Sequence, residues 1–139
     1  SSGALRALSG ELHVVAAAFP GEVRAEPILA ELRRQPPREA IRAWGRAATL
    51  GAEAMEMNDL RRLGELMQQA QAHYEALPHP ALKAPALAAA CRAVVDAGAL
   101  GAKFTGAGGD RSLVALFGSE AERLRGESVL TGLGLTVVR

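Results

Sequence analysis

The sequence of 139 residues has little cysteine, little lysine, no long apolar run and almost no net charge. Its single cysteine, Cys91, excludes an internal disulfide framework and is expected in a reducing compartment. No apolar stretch approaches the ~20 residues that a membrane-spanning helix needs. The first residues lack a basic segment followed by an apolar one, so no secretory signal is expected. We therefore expect a cytoplasmic location.

The charges of the chain are balanced and interspersed. Lysine and arginine number 16 and aspartate and glutamate 15, which gives a formal net charge of +1. This balance leaves no electrostatic footprint for nucleic acid or an anionic membrane, and neither partner is expected. Only Lys83 and Lys103 are lysines, and we interpret the excess of arginine and alanine as genomic bias. The hydrophobic fraction of 49% and the length are typical of one soluble globular domain.

Apolar periodicity and turn residues predict strands interspersed with helices. A first strand at 12–16 is stopped by Pro20-Gly21, and a helix at 25–34 is ended by Pro36-Pro37. Three further helices are predicted at 38–57, 60–77 and 81–97, followed by two strands around a glycine-rich loop, a short helix at 120–125 and a last strand at 135–138. This order predicts an α+β sandwich, with a mostly antiparallel sheet and helices packed on one face.

Two of the predicted helices carry apolar stripes and are expected to pack against each other as an antiparallel pair. Asn58-Asp59 separates them as a break and N-cap, and Pro78-His79-Pro80 ends the second. Gly98 is expected to end the next helix, which buries Cys91. The stripe residues are Ile41, Trp44, Ala48 and Met55 on the first helix and Leu60, Leu63, Met67, Ala70, Tyr74 and Leu77 on the second.

The sequence contains few motifs that carry chemistry. No paired-cysteine or His-Glu-x-x-His spacing is present, and His13, His73 and His79 are too scattered to indicate a metal site. A Gly-x-Ser-x-Gly nucleophile elbow and a Walker motif are also missing from the sequence. These residues alone therefore predict no catalytic constellation.

The glycine-rich loop is the most informative segment. Gly106-Ala107-Gly108-Gly109 lies between two apolar runs, which predicts strand, tight loop, strand. Consecutive amides in such a loop form a concave nest for an anion, and a plain hairpin turn fits the same residues. Thr105 and Ser112 supply hydroxyl donors and Arg111 a cation that pairs with phosphate or carboxylate. Asp110 opposes an anion unless a metal or cation intervenes.

An ungapped segment around this loop reads Gly98-Ala99-Leu100-Gly101-Ala102-Lys103-Phe104-Thr105-Gly106-Ala107-Gly108-Gly109. It resembles the third signature motif of the GHMP kinases, and within them the mevalonate kinase branch. Upstream, Leu63-Gly64-Glu65-Leu66-Met67 resembles the helix that precedes a Ser-His-Pro corner in that family, and the corner here is Pro78-His79-Pro80. The resemblance covers nearly the whole chain at varying strength and implies a ferredoxin-like α+β fold.

The resemblance also implies a site. In this family the fold has two domains, and the motif-three loop of the C-terminal domain lines the cleft beside the nucleotide phosphates and the phosphoryl acceptor. It implies Gly106, Ala107, Gly108 and Gly109 as cleft-lining residues, with Thr105 as a supporting hydroxyl. Asp110, Arg111 and Ser112 complete the predicted phosphate loop. ATP and Mg²⁺ are implied as cofactors of the complete two-domain enzyme.

Essential parts of such an enzyme are not found in the 139 residues. The N-terminal domain of the family supplies a Pro-x-x-x-Gly-Leu-Gly-Ser-Ser-type nucleotide loop and the catalytic aspartate and lysine. The chain alone is therefore expected to be inactive, with no catalytic residue and no metal site, and to bind neither cofactor tightly. The expected partners are a small-molecule substrate and the missing N-terminal domain, with a homodimer as a further option.

Mevalonate or phosphomevalonate is the acceptor that the resemblance implies. A sugar kinase of the same superfamily and a free-standing, non-catalytic binding module are the alternatives. The chain departs from the family where Asp110-Arg111-Ser112 replaces Gly-Gly-Cys, where Ala70 stands at a position commonly Asn, and where Pro78 replaces Ser. These changes fit an altered substrate, a divergent lineage or lost activity.

Overall fold

The computed structural model describes residues 12–21, 25–105 and 112–138. Helices and strands follow one another in the predicted order, and proline or glycine lies at several of the boundaries. In chain order the elements are β1 His13–Ala18, α1 Ala25–Arg34, α2 Arg38–Glu56, α3 Leu60–Glu75, a 3₁₀ turn Pro80–Leu82, α4 Pro85–Asp96, β2 Gly101–Phe104, β3 Ser112–Phe117, α5 Glu120–Gly132 and β4 Thr136–Val138.

The four strands form one antiparallel sheet in the order β2-β3-β1-β4. β1 pairs with β3 through His13 opposite Phe117 and with β4 through Ala16 opposite Val138. The helices between β1 and β2 and the helix between β3 and β4 therefore both make crossover connections that skip one strand. This arrangement is the predicted ferredoxin-like α+β sandwich.

The core lies between one face of the sheet and helices α4 and α5. Alternate residues along the strands point into it, and the helices contribute Leu87, Cys91, Val94 and Leu130. The inward strand residues are Val15, Ala17, Ala102, Phe104, Leu113, Ala115 and Phe117. The opposite face is apolar as well, yet Val14 and Val138 on it remain 43% and 59% exposed.

Helix α3 lies along the edge of β2 and closes that side of the sheet. A Cβ atom placed on Gly64 would be 2.3 Å from the carbonyl oxygen of Leu100, and one on Gly101 would be 2.3 Å from that of Gly64. The two backbones are therefore in direct contact, which only glycine permits. Helix α2 packs on the outer side of α3, as the two apolar stripes predict.

Two predicted helix boundaries are wrong. Helix α4 begins at Pro85 and not at residue 81, because proline restricts Ala84 to a non-helical conformation and is itself favoured at the first helical position. Helix α5 continues past residue 125 to Gly132. It includes Gly126, where a Cβ atom would lie 2.2 Å from the ring of Phe117, so this glycine makes room for a core aromatic.

The predicted N-cap at Asn58-Asp59 and the predicted helix stop at Gly98 are confirmed, and the structure adds a cap at Ser119. The Asp59 side chain accepts a hydrogen bond from the backbone N–H of Arg62, and Ser119 does the same for Glu122. Asn58 precedes the first of these caps with a φ of 56°, and Gly98 follows α4 with a φ of 119°. Both residues take the left-handed conformation that ends a helix.

Cys91 is buried in the core, as predicted, and burial raises the pKa of its thiol to about 12. Since the thiolate is the reactive form, we expect the native chain to resist alkylation by iodoacetamide at pH 8. The urea-unfolded chain should be alkylated fully in the same interval, as followed by intact mass. Equal rates for the native and unfolded chains would contradict the burial of this thiol.

Candidate functional site

Thr105 and Ser112 hold together the two ends of the glycine-rich segment. The backbone N–H of Thr105 donates to the carbonyl of Ser112 at 3.1 Å, and the two side-chain hydroxyls are hydrogen-bonded to each other. These contacts extend the antiparallel pairing of β2 and β3 by one step, which confirms strands on both sides of the loop. The predicted loop residues Gly106, Ala107, Gly108, Gly109, Asp110 and Arg111 lie outside the described residues.

The hydroxyl pair retains hydrogen-bonding capacity. Each hydroxyl carries one proton, so a bond between Thr105 and Ser112 uses one of the two and leaves the other for a further acceptor. Both residues are only partly buried, which leaves them accessible. Ser112 occupies the position of the family's cysteine, and a thiol donates only a weak hydrogen bond. The serine therefore strengthens the closure of the hairpin.

Lys103 precedes this pair on the same face of β2, because alternate strand residues point the same way. Its ammonium Nζ donates to the carbonyl of Phe104 at 2.7 Å, and partial burial lowers its pKa. Among the residues that the structure describes, Lys103 has no carboxylate partner. The motif contains this lysine, but sequence reasoning gave it no role.

Two glutamines of α3 bond the edge strand and were missed by the sequence reasoning. The Gln71 side-chain carbonyl accepts from the backbone N–H of Phe104 at 2.9 Å, and the Gln68 amide donates to the carbonyl of Leu100 at 3.0 Å. Gln71 is buried and its amide also donates to Glu75 at 3.2 Å. Gln71 directly follows Ala70, a residue of the apolar stripe. This polar residue beside the stripe is the sequence signal that could have indicated its buried hydrogen-bonding role. Helix α3 thus fixes β2 and, through it, the start of the loop.

His79 is part of the resembling corner and has a structural role. Its ring is 1% exposed, and Nε2 lies 2.7 Å from the carbonyl oxygen of Gln35, at the end of α1. In the described part of the chain Nδ1 has no hydrogen-bond partner. The histidine connects the corner to the residue that follows α1, and no contact among the described residues links it to the Thr105–Ser112 pair.

His13 is the first residue of β1, and its ring lies near the N-terminus of α5. Its Nδ1 is 3.4 Å from a carboxylate oxygen of Glu120, which pairs with Arg123 at 2.7 Å. The hydrogen bond from Arg123 is the main cause that lowers the pKa of Glu120 to about 2. Glu120 is exposed, so this cluster is a solvated ion network at a helix start. Within residues 12–21, 25–105 and 112–138, no group of three or more histidine, cysteine or acidic side chains is arranged to hold a metal.

An apolar groove of about 830 Å³ runs between the α1–α2 segment and α3 and reaches β2. The two predicted stripes face each other across it without closing it, so Ile41 remains 53% exposed. A chain of aromatic rings forms part of its lining: Trp44 and Tyr74 have centroids 6.2 Å apart, and Tyr74 and Phe104 are 5.2 Å apart. No helix in the described part of the chain is long and apolar enough to cross a membrane.

Comparison with known proteins identifies the fold. The sequence model of the family described as "GHMP kinases C terminal" matches residues 38–127. A search of curated protein sequences finds no match. Solved structures with the same fold include mevalonate kinase from L. major in complex with R-mevalonate, at 21% identity and a TM-score of 0.80. They also include Streptococcus pneumoniae phosphomevalonate kinase in complex with phosphomevalonate and AMPPNP, at 16% identity and a TM-score of 0.80. A third is homoserine kinase from Cytophaga hutchinsonii, at 20% identity and a TM-score of 0.66.

The alignments cover nearly all of this chain but less than half of each relative. The chain is covered to 96%, 91% and 94%, whereas the relatives are covered to 43%, 38% and 41%. The family match spans more than half of the 139 residues and includes α2 to β3, the elements that carry the hairpin and its support. The chain therefore belongs to the GHMP kinases, in which it corresponds to the C-terminal domain.

Proposed function

We propose that this chain is the C-terminal domain of an ATP-dependent small-molecule kinase whose acceptor is mevalonate or phosphomevalonate, and that residues 105–112 form one wall of its cleft. The observation that carries the proposal is the closure of the β2–β3 hairpin by Thr105 and Ser112, which fixes both ends of the glycine-rich segment. Backbone amides held in this way stabilise phosphoryl oxygens without taking part in proton transfer.

The described residues fit a phosphate group but not a bound magnesium ion. The Thr105–Ser112 pair retains one hydroxyl proton that can be donated to a phosphate oxygen. No group of acidic side chains in the described ranges suits Mg²⁺, which prefers carboxylate and phosphate oxygens. ATP and Mg²⁺ would supply the transferable phosphoryl group and its charge neutralisation. This chain would orient the phosphate through its hydroxyls and, in the loop, through amides.

The outer face of the sheet supports a larger assembly. Val14 and Val138 on this face are substantially exposed, and the neighbouring Ala16 and Val114 are partly exposed. Contiguous exposed apolar residues mark surfaces that contact other protein. A second domain, with the nucleotide loop, the catalytic aspartate and the catalytic lysine, would cover this face in the complete protein. A homodimer through it is the alternative arrangement.

The proposal is tested by phosphoryl transfer from ATP with Mg²⁺ in the complete two-domain protein. We expect turnover with mevalonate or phosphomevalonate, and none with homoserine or a panel of sugars. Preference for a sugar would move the protein to the sugar kinases of the superfamily. Turnover of none of these acceptors would favour a non-catalytic binding module instead.

The 139-residue chain provides the matched control for this assay. It is expected to show no turnover with any acceptor, because it contributes only one wall of the cleft. Mixing it with a separately produced N-terminal domain should restore part of the rate if the two associate. A robust rate from the chain alone would contradict the division of the machinery proposed above.

A further inference from the structure

We infer that the groove between α1, α2 and α3 binds an amphipathic anion, with its apolar chain along the groove and its carboxylate or phosphate head on Lys103. The volume of about 830 Å³ is within the range of small-molecule sites in proteins. Binding there does not depend on the proposed phosphoryl transfer, since the groove is formed by helices and Lys103 and not by the loop.

The apolar part of the inference comes from the groove lining. Most of its side chains are aliphatic, aromatic or alanine, and several are accessible, as Ile41 and Ala48 illustrate. An open apolar groove is unfavourable in water, and an apolar ligand chain would gain by displacing that water. The lining residues that α2 and α3 contribute include Trp44, Ala48, Met67, Ala70 and Tyr74.

The anionic head follows from the charges in the lining. The groove has two cations, Arg33 and Lys103. Arg33 is exposed and pairs with Glu26 at 3.5 Å, so its charge is balanced. Lys103 has no acidic partner among the described residues, and its hydrogen bond to the carbonyl of Phe104 uses only one of the three donors of an ammonium group.

Partial burial makes this arrangement costly without a counter-ion. Burial disfavours the ammonium form and lowers the pKa of Lys103. An anionic group beside it would restore the balance, and it would bind the two ammonium donors that have no partner among the described residues. Carboxylate and phosphate share this chemistry, so the two head groups are compared directly in the experiment.

Trp44 provides the measurement, because it is the sole tryptophan of the chain and lines the groove. Its indole N–H donates to the carbonyl of Ala70 at 3.1 Å, which fixes the ring between the helices. We expect decanoate and decyl phosphate, titrated below micelle formation into the 139-residue chain, to change its emission saturably. Decyltrimethylammonium and butyrate should bind at least about tenfold more weakly, the first for its charge and the second for its short chain.

Three variants locate the binding. Lys103→Met keeps an unbranched side chain but removes the charge, and should weaken both decyl anions about tenfold. Arg42→Met removes an exposed charge outside the groove lining and should leave binding unchanged. Ala48→Phe fills the groove and should abolish the response to every probe, while circular dichroism shows that the chain stays folded.

Specific results would overturn the inference. Equal binding of the anionic and cationic probes, or unchanged binding by Lys103→Met, would show that Lys103 does not receive the head group. A groove covered by a second copy of the chain would be revealed by a dimer in sedimentation velocity that dissociates in Ala48→Phe, together with no response to the probes. The tighter of decanoate and decyl phosphate identifies the head group.

Discussion

Replacing Gly64 with alanine is expected to lower the free energy of unfolding of this chain by about 3 kcal/mol. The new Cβ would lie 2.3 Å from the carbonyl oxygen of Leu100 and 2.5 Å from its carbonyl carbon. Both are backbone atoms, which cannot move aside as a flexible side chain does. Helix α3 would have to separate from β2, which would weaken the hydrogen bonds from Gln68 to Leu100 and from Phe104 to Gln71.

Chemical denaturation of the purified chain measures this effect, and Gly45→Ala is its matched control. Gly45 lies within helix α2, and a Cβ atom there meets nothing within 4 Å. Alanine at an unobstructed helical position stabilises by about 0.5–1 kcal/mol relative to glycine. The two substitutions are chemically identical and should therefore have opposite signs. A Gly64→Ala chain as stable as the unmodified one would contradict the close contact of α3 with β2.

Replacing Gly108 with valine is expected to lower the kcat of the complete kinase about 100-fold or more. A β-branched side chain restricts the backbone and prevents a phosphate from approaching the loop amides. The strand ends should stay closed by Thr105 and Ser112, so the thermal unfolding of the 139-residue variant should change little. Steady-state kinetics with ATP and the preferred acceptor, beside a melting curve, separates these effects.

Gly45→Val provides the control for this second substitution. It introduces the same side chain at an exposed helical position with open space around it and should leave kcat within a few-fold of the unmodified enzyme. If Gly108→Val unfolds the domain, the glycine is required by the turn and not by phosphate binding. If it folds and retains full activity, the loop is not part of the cleft.

The sequence was sufficient for most of the elements of the fold. Asp59 and Gly98 act within one turn of the chain, so their roles as N-cap and helix stop can be predicted from the local sequence alone. The α4 boundary was misplaced because the apolar pattern continues through residues 81–84, where Pro85 restricts the backbone. Helix α5 was predicted too short because Gly126 suggests an end, whereas it accommodates Phe117.

The long-range contacts that support the candidate site could not be predicted from the sequence. Gly64 and Gly101 each belong to a segment that resembles the family, yet only the structure shows that these segments touch each other. Gln71 and Lys103 likewise gain their significance from partners far along the chain or from a groove between helices. Contacts of this kind depend on how elements pack, which hydrophobic periodicity does not encode.

The covering of β2 by α3 has a further consequence for handling this domain in solution. An exposed strand edge presents unpaired N–H and C=O groups that recruit other chains into intermolecular sheets. Here one side of the sheet is sheltered by a helix that bonds β2 through Gln68 and Gln71. Among the residues that the structure describes, the other side of the sheet ends in β4, which spans the three residues Thr136–Val138. With one edge sheltered and the other short, strand-to-strand aggregation has little template from which to begin.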